Sequence, residues 1–65
     1  MQVTANGMPY EVPERTTVES FIRLRELDPR LVVVELNGDA LERSRYDTRL
    51  SEGDRLELVR AVAGG

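Results

Sequence analysis

The dipeptide Asn-Gly occurs twice, at Asn6-Gly7 and at Asn37-Gly38. It is the strongest two-residue hairpin signal, because both positions of a type I′ turn need positive φ and Asn and Gly tolerate it. Each pair follows a stretch that suits a strand. Met1, Val3 and Ala5 alternate with Gln2 and Thr4, the period of a half-buried strand. Leu31 to Leu36 reads Leu-Val-Val-Val-Glu-Leu, and three successive valines favour strand over helix. Met8 to Val12 is then the return strand of the first hairpin, and Ala40-Leu41 a short return in the second. Pro9 cannot donate to a ladder, which puts its position at a sheet edge. The Leu31–Leu36 strand is the most apolar and is expected at the centre of the sheet.

Between the hairpins the period changes. Val18, Phe21 and Ile22 form the i, i+3, i+4 stripe of a helical face. Thr16 is placed to cap its start, with Glu19 reaching back, and Pro29 after Asp28 closes it. The expected helix runs from about Val18 to Leu27. Leu24 and Leu27 sit off the stripe, and Arg25 stands where it should continue. Glu42 to Thr48 is polar and irregular, with Tyr46 as its anchor. Ser51-Glu52-Gly53-Asp54 is a turn, and Arg55 to Val62 the last strand. Leu56, Leu58 and Val62 share one face of it; Val59 and Ala61 share the other. A single helix can cover a sheet on one face only, so the class is α+β.

Sixty-five residues make one domain with a modest core. The absent residue types narrow its chemistry. There is no histidine and no cysteine, so the usual near-neutral acid/base, the thiolate nucleophile and the ordinary N/S zinc site are missing. No metal site is expected. All nine basic residues are arginine, which removes Schiff-base chemistry. A substrate cleft of several hundred Å³ is hard to enclose in so short a chain, and an enzyme is not expected. The nine arginines are interspersed among twelve acids, for a net charge of −3. Nucleic-acid binding rests on a concentrated basic patch, and none is present. No stretch approaches the ~20 apolar residues of a membrane span, and no signal sequence precedes Gln2. The expectation is a cytoplasmic protein.

What remains is the end of the chain, Ala61-Val62-Ala63-Gly64-Gly65. Glycine packs poorly and loses the most backbone freedom on ordering. Such a tail suits the threading of a backbone carboxylate into a narrow slot on another protein. Extended, residues 62 to 65 reach about 13–14 Å at ~3.3–3.6 Å each. Small residues are also tolerated at ordinary frayed ends, and the tail alone does not separate the two readings.

The residues Val34-Glu35-Leu36-Asn37-Gly38, Arg43, Leu50-Ser51-Glu52-Gly53-Asp54-Arg55-Leu56-Glu57-Leu58-Val59 and Ala61-Val62-Ala63-Gly64-Gly65 together resemble the ThiS sulfur-carrier family of thiamin biosynthesis. The resemblance runs over essentially the whole chain. It implies the β-grasp fold of ubiquitin, a mixed sheet with one helix across one face. Residues 1–62 would form the domain and residues 63–65 a flexible Gly-Gly tail. Arg25, Leu24, Glu26 and Glu42 depart from the family pattern; position 26 often holds a glycine that ends the helix.

The resemblance also implies a chemistry. Gly65 would carry the adenylate and then the thiocarboxylate, with Gly64 and Ala63 threading the slot. The chain would bind no cofactor. ATP and Mg²⁺ would belong to a ThiF-like adenylating enzyme related to the ubiquitin-activating class. Sulfur would come from a cysteine desulfurase and pass to thiazole synthase (ThiG-like), a (β/α)₈ barrel. Val59, Ala61 and Val62 are the expected docking residues, since an exposed apolar spot beside the tail marks an interaction surface. Other carrier pathways (molybdopterin, a sulfur-containing amino acid, tRNA thiolation), a ubiquitin-like protein modifier and a non-covalent β-grasp module remain alternatives.

Overall fold

The computed structural model describes residues 1–61. Five strands form one sheet: β1 Gln2–Ala5, β2 Met8–Glu11, β3 Val32–Leu36, β4 Asp39–Leu41 and β5 Arg55–Arg60. The single helix α1, Val18–Leu24, crosses from the first hairpin to the second. The strand order is β2-β1-β5-β3-β4. β1 and β5 run parallel, and every other pair is antiparallel. A mixed sheet with one helix on one face is the β-grasp arrangement expected.

Both Asn-Gly pairs make the turns expected of them. Asn6 and Gly7 have φ of 50° and 82°, and Asn37 and Gly38 have 53° and 90°. The core forms where the inner rows of the strands meet the helix stripe. Val3, Ala5, Val32, Val34 and Leu56 are buried against Val18, Phe21 and Ile22. Tyr46 is buried as expected, and its hydroxyl donates to the Val32 carbonyl at 2.6 Å. Leu50 closes the same cluster. Tyr10 meets the Phe21 ring edge-on, with centroids 5.5 Å apart.

Three expectations are corrected. β5, not the valine-rich β3, is the central strand, because β5 alone joins the two hairpins through β1 and β3. The helix starts one residue later in its cap and ends three residues sooner. Thr17 is the N-cap, and it forms a reciprocal capping box with Ser20. Thr16 instead donates its hydroxyl to the Pro13 carbonyl at 2.6 Å and is buried. At the other end Glu26 turns left-handed, φ 61°. Its N–H donates to Arg23 O and that of Leu27 to Ile22 O, the paired bonds of a Schellman stop. Pro29 lies beyond this stop and opens a short 3₁₀ turn, Pro29–Leu31, capped by Asp28. The stripe has therefore ended before Arg25, whose guanidinium lies 4.8 Å from the centre of the Tyr10 ring. The last strand ends at Arg60 and leaves Ala61 outside it, while the expected end at Val62 lies outside the described residues.

Candidate functional site

Since α1 covers one face, alternate residues of every strand point away from it. On β3 these are Val33 and Glu35, and on β5 they are Arg55, Glu57 and Val59. The antiparallel register sets Val33 directly opposite Val59 and Glu35 directly opposite Glu57. Val59 is 61% exposed and Val33 50%. One rung further on, the Ala61 N–H donates to the Leu31 carbonyl at 2.6 Å, which carries the ladder past the end of β5. Ala61 is exposed, and Leu31 is 47% exposed. An apolar strip of four residues thus lies on the open face where the chain leaves the sheet.

Val59 and Ala61 stand on this strip, on the face expected of them. Val62, Ala63, Gly64 and Gly65 lie outside the described residues, as does the expected boundary between residues 62 and 63. Leu31 and Val33 were not picked out by sequence reasoning, which treated Leu31 to Leu36 as one apolar block. The signal was available: a sheet covered on one face must turn every second residue of that block outward.

The strand that leads to the tail is pinned from both sides by the turn asparagines. The Asn6 side chain accepts from Leu58 N–H at 2.8 Å and donates to the Leu58 carbonyl at 3.2 Å. It acts as an added rung of strand beside β5. Asn37 accepts from Arg55 N–H at 2.8 Å and donates to the Asp54 carboxylate at 3.0 Å. Nothing in the sequence distinguished these side chains from those of ordinary turn residues.

The described residues offer little else for chemistry. No three or more acidic, histidine or cysteine side chains among them are placed to hold a metal ion. No helix among them is long and apolar enough to cross a membrane. A hollow of about 440 Å³ lies on the helix side between Pro13–Thr16 and Ser20, Arg23 and Leu24. None of the strip residues lines it. Asp28 is held down to about 2 by its hydrogen bonds from the Arg30 side chain and backbone, a turn-stabilising pair rather than a reactive one.

The profile of the ThiS family matches residues 3–65. The chain belongs to the ThiS family. A crystal structure of a ThiS thiamine biosynthesis protein from Geobacter metallireducens superposes with a TM-score of 0.83 at 35% identity, each chain covered in full. The NMR structure of a thiamine biosynthesis protein from the same organism gives 0.80 at 35% identity, over all of this chain and 88% of that one. A ubiquitin-like protein from the archaeon Caldiarchaeum subterraneum shares the fold, with a TM-score of 0.54 at 20% identity over 98% of this chain and all of that one. A thiazole synthase from Paramagnetospirillum magneticum is 32% identical over 66 residues. That match takes in all of this ThiS-family chain but only 20% of the synthase, so the chain spans a fifth of that relative's length.

Proposed function

We propose that this chain is a sulfur carrier of thiamin biosynthesis, whose Gly65 carboxylate is the group that carries the sulfur. Membership of the ThiS family over residues 3–65, with Gly64-Gly65 inside the match, is the observation that carries the reading. The chain itself supplies a platform and a backbone end. It is proposed as a carrier and not as a catalyst.

The α-carboxyl group has an ordinary pKa of about 3.3–3.7 and is ionised at neutral pH. As a carboxylate it resists acyl attack, but it can attack the α-phosphorus of ATP. That step, on a ThiF-like adenylating enzyme that holds the Mg²⁺, forms the acyl adenylate and releases pyrophosphate. A persulfide relayed from a cysteine desulfurase then attacks the Gly65 carbonyl carbon with loss of AMP, and a thiol reductant cleaves the S–S bond of the resulting acyl disulfide. The product is a thiocarboxylate. Thiazole synthase is the proposed acceptor, a reading supported by the related stretch within a thiazole synthase chain. Without a Cβ at Gly65 the carbonyl is open to attack, and Gly64 passes a slot that a side chain would block. The apolar strip Leu31, Val33, Val59 and Ala61 is the proposed docking surface beside that tail.

The test is intact mass after incubation with ATP, Mg²⁺, an adenylating enzyme and a sulfur source. Exchange of oxygen for sulfur at the terminus adds about 16 Da and creates a group that reacts as a nucleophile. A mass that stays constant while a control carrier is converted refutes the proposal.

A further inference from the structure

The rung next to Val33 and Val59 pairs Glu35 with Glu57 across adjacent strands on the open face. Like charges directly opposite one another destabilise a sheet. Both residues are exposed, and neither joins an ion pair among the described residues. Arg55 shares their face two residues before Glu57, yet its backbone is spent on Asn37 and its side chain forms no salt bridge with either glutamate. The free domain thus keeps an electrostatic conflict beside its most exposed apolar pair. The strip and the acidic rung are contiguous, and both adjoin the place where the tail departs.

We propose that this face docks a partner protein that sets an arginine or lysine against Glu35 and Glu57 and an apolar depression against Val33 and Val59. The inference rests on the carrier reading and names the chemistry of the partner's surface. The apolar strip alone would accept many occupants, including a second copy. The acidic rung discriminates among them. A second copy brings its own Glu35 and Glu57 to the contact, so like charge meets like charge. A cationic partner relieves the repulsion within the rung and gains two charge-assisted contacts. The same rung therefore keeps the free carrier monomeric and selects its partner.

The experiment compares the wild-type chain with the Glu35→Gln/Glu57→Gln double variant, using a purified ThiF-like adenylating enzyme as the probe. Binding is measured at low and at raised salt, alongside the melting temperature of the free protein. Removing the charges should weaken binding about five- to tenfold at low salt and flatten its salt dependence. The melting temperature should hold or rise, since the internal repulsion is gone. A variant that is better folded but more weakly bound separates docking from a structural role. Equal affinity with unchanged salt dependence, while the wild type is adenylated, overturns this inference and leaves the carrier reading standing. A wild-type chain that the enzyme neither binds nor adenylates overturns both. Wild-type dimers that dissociate on Val59→Asp substitution would show a second copy on this face and overturn the inference as well.

Discussion

Glu26 sits in a conformation that suits glycine better. Its φ of 61° lies in the left-handed region, where a side chain crowds the following carbonyl at about 1–2 kcal/mol. The Schellman bonds from residues 26 and 27 hold it there. Glu26→Gly should therefore raise stability by about 0.5–1 kcal/mol, read as a higher urea midpoint with unchanged slope. The gain is limited because glycine also frees the unfolded chain. This residue shows how far the sequence was legible. The family pattern flagged position 26 as a usual glycine, but Pro29 drew the helix end too far along. A proline marks where a helix cannot continue; the local left-handed residue decides where it stops. Two residues on, Asp28 caps the 3₁₀ turn and bonds Arg30, which lowers its pKa from 3.8 to about 2. A carboxyl depressed in the folded state stabilises above its unfolded pKa and loses that contribution as pH falls through the folded one. The free energy of unfolding should therefore decline as pH drops from about 4 toward 2, and Asp28→Asn should shrink that decline. Both readouts come from denaturant titrations at stepped pH.

At the scale of elements, β5 shows both what could be read and what could not. Its alternation was plain: Leu56 and Leu58 inward, Val59 and Ala61 outward. Its place at the centre was not, because position in a sheet is set by which neighbours the chain brings alongside. The two hairpins are local and were legible; the parallel β1–β5 pairing joins Thr4 to Arg55 and leaves no local mark. The asparagines supply part of that long-range pairing. Their backbone role as turn residues was visible, whereas the grip of their side chains on β5 depended on contacts fifty-two residues apart in one case. Asn6→Gly isolates the second role, because glycine keeps the positive φ and removes only the amide. Two bonds to Leu58 are lost, at about 0.5–1.5 kcal/mol each. The expected result is a destabilisation of about 1–2 kcal/mol with earlier hydrogen exchange at Leu58 N–H. A loss no larger than a few tenths would mean that water replaces the amide fully.

For the molecule as a whole, the division of labour follows from what the chain lacks. The chain has no thiol, imidazole or side-chain amine, and the buried hydrophobic side chains of the described residues form the core. The reactive group under the carrier proposal is a backbone carboxylate, so changes at Gly64 or Gly65 should separate folding from function. Gly64→Ala and Gly65→Ala add one methyl each, four and five residues along the chain from the end of β5 at Arg60. Denaturant midpoints should stay at the wild-type value. Thiocarboxylate formation should slow in both, but at different steps. At position 64 the methyl obstructs passage through the partner's slot, so the apparent affinity weakens along with the rate. At position 65 it shields the carbonyl carbon, so sulfur transfer suffers even where the adenylate forms. ATP–pyrophosphate exchange reads the first step, and intact mass reads the second. Both variants exchanging and gaining the ~16 Da at wild-type rates would remove the tail glycines from the mechanism. A docking variant such as Val33→Asp offers the complementary control, because its defect should appear as weaker binding with an intact response once the partner is saturated.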